Sequence, residues 1–285
     1  MGNTRKIAFW GTPDFTIPFL DLLYKDDLTP SLIVTNPNRP SGRGMRMHTP
    51  APAVWAQTHN IEVVQPEKID DIFFEKLKKK DWDLFIVIAY GNILPEKIIT
   101  LPKFGTINIH YSLLPKYRGA TPVESAIING DKSTGVCIQQ MRYKLDSGPI
   151  LAQKEVPVTP TETTATLRDK LNTEALNLLP EVINSIFQGN ISPKDQNDAE
   201  ATICKRIKKE DGEIFLDDNP IINDRKFRAY VTSPGVFFMT KKDNKNIRVK
   251  IKNAHLEGEN FILDLVVPEN GKPMTREEFF RWQND

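Results

Sequence analysis

The chain has 285 residues, 39% hydrophobic and 26% charged, with 38 Lys and Arg against 37 Asp and Glu for a formal net charge of +1. That is a globular composition, long enough to bury a core unaided, and its two cysteines, Cys137 and Cys204, exclude a disulfide framework and a Cys-rich zinc site. The longest apolar run, LFIVIAY at 84–90, is too short to span a bilayer and residues 1–9 hold no leader-like stretch, so a cytoplasmic chain without a membrane partner is expected.

Residues 6–10 read as a buried strand, followed by a turn at Gly11, Thr12, Pro13 and Asp14. A helix then runs through Ile17, Phe19, Leu20, Leu22 and Leu23. The alternation continues with a strand at 31–35, a helix at 53–59, a short strand at 62–65, a helix at 70–80 and a strand at 83–89. A strand at 106–110, a helix near 122–129, strands at 134–141 and 150–156 and a long helix at 166–187 complete it. Strands buried on both faces and separated by helices predict an open α/β sheet within residues 1–190.

The chain then turns polar, and residues 191–204 are expected to be a linker. Strand-like runs at 235–240, 247–252 and 260–267 predict a compact β-rich domain over 205–285. Within 225–252 there are nine Lys and Arg and a single acid, Asp243. A solvated sheet face fits that excess, and so does a surface that neutralises phosphates. Phe237 and Phe238 are neighbours on a strand and must face opposite sides, so at least one belongs to a core.

The loop after the first strand lacks the glycine spacing of a dinucleotide site, and no phosphate-loop motif occurs anywhere. Strand alternation places Asn108 and His110 on one face, at a carboxyl end where open α/β sheets hold ligands. An amide donor beside an imidazole suits oxyanion stabilisation and proton transfer, although the pair also fits a structural role. Asp146 sits in a Gly- and Pro-bounded turn, LDSGPI at 145–150, either fixing that turn or orienting His110. Cys137 lies in an apolar strand and reads as a small buried hydrophobe. His48, His59, His110 and His255 share no ligand spacing, so no metal is expected.

An N-x-H pair running into SLLPKYRG at 112–119, followed by LDSGPI, resembles the folate-dependent formyltransferase family. GTPDF at 11–15, NPNRPSGRG at 36–44, QPEKI at 65–69 and AYGNILP at 89–95 extend the likeness. TETTATLRDKL at 161–171, IKKEDGE at 207–213, RAYVTSPG at 228–235 and KPMTREEF at 272–279 carry it to the end of the chain. The order of these segments is that of the branch whose amine acceptor is initiator methionyl-tRNA.

The resemblance implies an open, mostly parallel Rossmann-like domain, with 10-formyltetrahydrofolate as formyl donor and a tRNA partner. Asn108, His110 and Asp146 would be catalytic. Ser112, Leu113, Leu114 and Pro115, with the backbone around Ala89, Tyr90, Gly91, Ile93 and Leu94, would line the folate pocket. The basic loop at 36–50, with Arg39, Arg43 and Arg46, would approach the tRNA acceptor end. Arg228, Lys241, Lys242, Lys245 and Lys250 would meet its backbone from an OB-like β-barrel, shortened because 205–285 is compact. A monomer is expected. Tyr111 stands where a smaller residue is usual and would alter the pocket rim, and Arg142, Tyr143 and Lys144 make the approach unusually basic. A small amine acceptor such as a sugar nucleotide, hydrolysis of the donor, and a tRNA-binding module on an inactive scaffold remain open alternatives.

Overall fold

The structure, a computed structural model, describes residues 5–41 and 45–284. The chain divides into two compact units. The first comprises residues 1–118, 135–155 and 171–203; the second comprises 119–134, 156–170 and 204–285. Among the described residues no helix is long and apolar enough to cross a membrane.

A seven-stranded sheet organises the first unit, in the order Ile150–Pro157, Ser133–Gln140, Thr106–His110, Leu84–Ile88, Ile7–Gly11, Leu32–Val34, Glu62–Val64. The five strands from Thr106–His110 to Glu62–Val64 run parallel, and Ser133–Gln140 joins Thr106–His110 antiparallel. Every residue of Ile7–Gly11 and Leu84–Ile88 is buried, as strands covered on both faces require. On one face Ala8, Trp10, Phe85 and Val87 pack with Phe73, Leu77 and Trp82. Asp70 caps the Asp71–Leu77 helix by accepting from Phe73 N–H at 3.0 Å. The expected helix at 53–59 starts earlier, at Ala51–Thr58, because Pro52 fits its first turn.

Chain order departs from the left-to-right order at one place. From Ile7–Gly11 the chain moves outward through Leu32–Val34 and Glu62–Val64, then returns to Leu84–Ile88 on the other side. The carboxyl ends of Ile7–Gly11 and Leu84–Ile88, in register at Gly11 and Ile88, therefore splay their following loops apart. Such a switch point is where this class of sheet binds ligands.

In the second unit the strands Val236–Lys242, Lys245–Glu257, Asn260–Pro268 and Met274–Thr275 form an antiparallel sheet in sequential order. Asp243 and Asn244, with φ of +50° and +61°, make the tight first turn. The small β unit is thus a four-stranded meander, with a parallel bridge from Glu213 to Phe237 at its edge. Both Phe237 and Phe238 are buried: the Arg248 guanidinium covers the first at 3.5 Å, and Phe279 meets the second edge-on. Two helices here escaped the sequence pattern, Pro220–Tyr230 and Arg276–Asn284.

Residues 191–203 are not a free linker. They belong to the first unit, bridge antiparallel from Lys194 to Ile150, and carry a short turn of helix at Asp198–Glu200. The strand bearing Asn108 and His110 depends on Ile107, which is fully buried. Ile107→Ala is expected to cost about 2–5 kcal/mol of stability, read from urea unfolding of the purified chain.

Candidate active site

Asn108 and His110 project from one face of Thr106–His110, with Gln139 and Cys137 directly opposite on the antiparallel neighbour. His110 is 5% exposed. Its Nε2 lies 2.8 Å from the Tyr117 carbonyl oxygen, an acceptor only, so Nε2 carries the hydrogen. The Nδ1 edge then faces Asp146, whose Oδ2 is 3.7 Å away. Asn108 is half-buried, and its side-chain amide has no hydrogen-bond partner among the described residues. An amide donor, an imidazole edge and a carboxylate thus belong to one unit at the carboxyl end of one strand.

Asp146 is held from several sides. Gln139 Nε2 donates to its Oδ1 at 2.9 Å, and Gln196 Nε2 donates to its carbonyl at 2.9 Å. Its φ of +44° is a left-handed conformation that side chains rarely adopt. Neither glutamine was singled out from sequence. For Gln139 a signal existed, a glutamine at the inward register of an apolar strand, and here it is almost fully buried.

The loop at 89–94 follows the switch point. Ala89 and Gly91 have φ of +48° and +85° and are exposed, as is Ile93, at 78%. Tyr90 and Leu94 turn into the core, where Tyr90 meets Trp10 edge-on and burial pushes its hydroxyl up to about 12. What the loop offers outward is therefore backbone with Ala89, Gly91, Asn92 and Ile93. Asn36 ties it down, donating to the Tyr90 carbonyl at 3.2 Å and accepting from Asn92 at 2.6 Å.

In the loop at 112–115, Ser112 and Leu114 are buried, and Leu113 and Pro115 are half-buried. Cys137 does more than fill space: its thiol donates to the Ser112 carbonyl at 2.9 Å and accepts from Leu114 N–H at 3.3 Å and Gln153 Nε2 at 2.8 Å. Burial pushes that thiol up to about 12. Tyr111 does not form a rim. It is buried, with its hydroxyl on Asn172 Oδ1 at 2.7 Å and its ring against Phe15. Arg142 and Lys144 meet Asp195 and Asp198 at 3.3 and 2.6 Å, and the hydrogen bonds from Lys144 and Arg118 hold the Asp198 carboxyl below the usual range.

The basic residues divide. Arg39, on a strand Arg39–Ser41 that pairs antiparallel with Arg46–His48, meets Glu67 at 2.7 Å; Arg46 is exposed, and Arg43 lies outside the described residues. In the second unit Lys241, Lys245 and Lys250 are exposed, and so is Lys252, two residues along from Lys250. Lys242 folds back onto the Trp282 ring and carbonyl. Arg228 corrects an expectation: it is 13% exposed, bonded to Asp224 at 2.8 Å and to the Glu162 carbonyl at 2.9 Å, so its charge is answered internally.

Gly148 makes the turn that carries Asp146 possible, because a Cβ there would stand 1.7 Å from the Gln140 carbonyl oxygen. Gly148→Ala is expected to cost about 1–3 kcal/mol in thermal or urea unfolding. A crystal structure of the variant should show the Asp146 carboxylate drawn away from His110.

Residues 5–183 match the family described as Formyl transferase. The methionyl-tRNA formyltransferase of Sulfurihydrogenibium sp. (strain YO3AOP1) is 43% identical over 211 residues, covering 73% of this chain and 68% of that protein. That of Thermodesulfovibrio yellowstonii is 37% identical over 291 residues, covering 96% of this chain and 94% of that protein. Among solved structures, the N-formyltransferase from Helicobacter canadensis in complex with folinic acid and dTDP-3-aminofucose superposes with a TM-score of 0.66 at 17% identity, over 91% of this chain and 95% of that one. A 4-N formyltransferase from Francisella tularensis gives 0.66 at 22% identity, over 86% and 96%. These two share the fold. The chain belongs to the formyl transferase family.

Proposed function

We propose that this chain transfers the formyl group of 10-formyltetrahydrofolate to the α-amino group of initiator methionyl-tRNA, in the cytoplasm, for translation initiation. The observation that carries the chemistry is the His110–Asp146 pair together with Asn108 on the same strand face, whose side-chain amide has no hydrogen-bond partner among the described residues. The acceptor follows from the methionyl-tRNA formyltransferases to which the chain is similar.

The neutral amine attacks the formyl carbon, a new C–N bond forms, and the carbonyl electron pair moves to oxygen. Asn108 Nδ2 donates to that oxygen, joined by a proton on His110 Nδ1. Nε2 stays on the Tyr117 carbonyl and keeps the ring fixed. Asp146 orients the imidazole and draws the excess proton off the attacking amine, directly or through water. Collapse of the intermediate re-forms the carbonyl and breaks the bond from carbon to N10 of the folate, and N10 takes up the proton drawn from the amine as tetrahydrofolate leaves. The folate lies against the backbone at 89–94 and against residues 112–115, and the basic loop at 36–50 meets the acceptor end. Lys241, Lys245, Lys250 and Lys252 face the phosphates, with Lys242 beside them; Arg228 takes no part.

Supplied with labelled formyl donor and, separately, charged initiator tRNA or an amino sugar nucleotide, the enzyme is expected to label only the tRNA. Label on the sugar alone would overturn the acceptor, and formate released with neither acceptor present would point to hydrolysis. Asn108→Ala removes one oxyanion donor and should cut single-turnover transfer by roughly a hundredfold or more. Its tRNA affinity should stay unchanged, and a wild-type rate in this variant would remove Asn108 from the mechanism.

A further inference from the structure

Arg118 carries a charge into the interior, with its side chain only 3% exposed. A guanidinium donates and never accepts. Nε and Nη2 both donate to Gln196 Oε1, at 3.0 and 2.7 Å, while Nη1 meets Asp198 Oδ1 at 2.8 Å. With its oxygen turned to Arg118, the Gln196 amide must present its nitrogen to the opposite side. There it donates to the Asp146 carbonyl at 2.9 Å and the Gly148 carbonyl at 2.7 Å. A flipped amide would set NH2 against the guanidinium and oxygen against two carbonyls, so the partners fix the orientation.

Six residues further on, the same segment reaches the other half of the pair. Thr202 Oγ1 accepts from Tyr117 N–H at 2.8 Å, and the Thr202 carbonyl accepts from Arg118 N–H at 2.8 Å. Tyr117 is the residue whose carbonyl seats His110. It shares with Asp146 a left-handed backbone, φ +58° and +44°, a conformation that lasts only where the surroundings hold it.

We infer that residues 196–202 form a strap that sets the distance between His110 and Asp146, with Gln196, oriented by the buried Arg118, as a positioning residue for the transfer proposed above. Gln196 touches no reacting atom. It acts through the Asp146 backbone, as Thr202 acts through Tyr117. The ion pair of Lys144 with Asp198 fastens the same turn a second time.

The decisive variant is Gln196→Glu in the full chain. It keeps an oxygen toward Arg118 but replaces the donor facing the turn by a second acceptor. If the strap positions Asp146, kcat should fall about tenfold or more while KM for both substrates stays within about threefold. The imidazole ¹⁵N signals of His110, assigned with a His110→Gln variant, should shift as well. A kcat within about twofold of wild type and unmoved His110 signals, in a folded variant, would overturn the inference. Where circular dichroism shows Gln196→Glu unfolded, the near-isosteric Thr202→Val removes the acceptor for Tyr117 N–H, and the same two readouts decide. A wild-type chain that formylates neither acceptor would refute the proposed function instead, and the His110 signals would still test the strap.

Discussion

The hydrogen bond from His110 Nε2 to the Tyr117 carbonyl determines how the candidate site can work. A carbonyl has no proton to give, so the bond assigns a ring hydrogen to Nε2 and leaves Nδ1 as the edge turned to other partners. That edge faces Asp146, and Asn108 stands two residues back on the same strand face. Were the ring free to rotate, neither nitrogen would have a defined task. The backbone that supplies the carbonyl is itself left-handed at Tyr117, which places a local constraint where the chemistry needs direction.

Much of the sheet was readable from sequence, for a physical reason. Strands such as IAFWG and LFIVI are buried on both faces and cannot hide behind polar alternation. Helices on the second unit were harder. Pro220–Tyr230 buries the polar Asn223 and Asp224 alongside Phe227 and Tyr230 and leaves Ile221 and Ile222 exposed, so no apolar period announced it. Its start was nonetheless written in the chain, since Asn219 accepts from Ile221 and Ile222 N–H and Pro220 occupies the first turn. The candidate site divides in the same way. Strand periodicity puts Asn108 and His110 on one face but leaves their role open between structure and chemistry, and the approach of Asp146 is non-local, so all three roles rested on the resemblance. Gln139 left a trace as a glutamine inside an apolar strand, but the link between Gln196 and Arg118 was invisible: they meet across 78 positions, and no local pattern encodes that.

Charge counting met a similar limit. The excess over 225–252 is real, but composition says nothing of direction. Arg228 turns inward to Asp224, Arg248 lies flat on Phe237, and Lys242 on Trp282. The outward charge comes instead from Lys241, Lys245, Lys250 and Lys252, on two strands joined by a tight turn. A long cation with an aromatic face or a carboxylate within reach is drawn to it, and only those without such neighbours remain for a polyanion.

The region from 112 to 118 shows why so many polar side chains are buried near the candidate site. Most of this stretch has no regular ladder, yet much of it is out of water, and buried amides and carbonyls without partners are costly. Side chains supply what a neighbouring strand would have given. Cys137 serves the Ser112 carbonyl and Leu114 N–H, Ser112 Oγ serves the Lys116 carbonyl, Gln153 serves the Leu114 carbonyl and Thr202 serves Tyr117 N–H. Each bond fixes a direction as well as an energy. A loop satisfied this way is irregular in shape yet has its directions fixed, which is what holding an imidazole against a carboxylate requires.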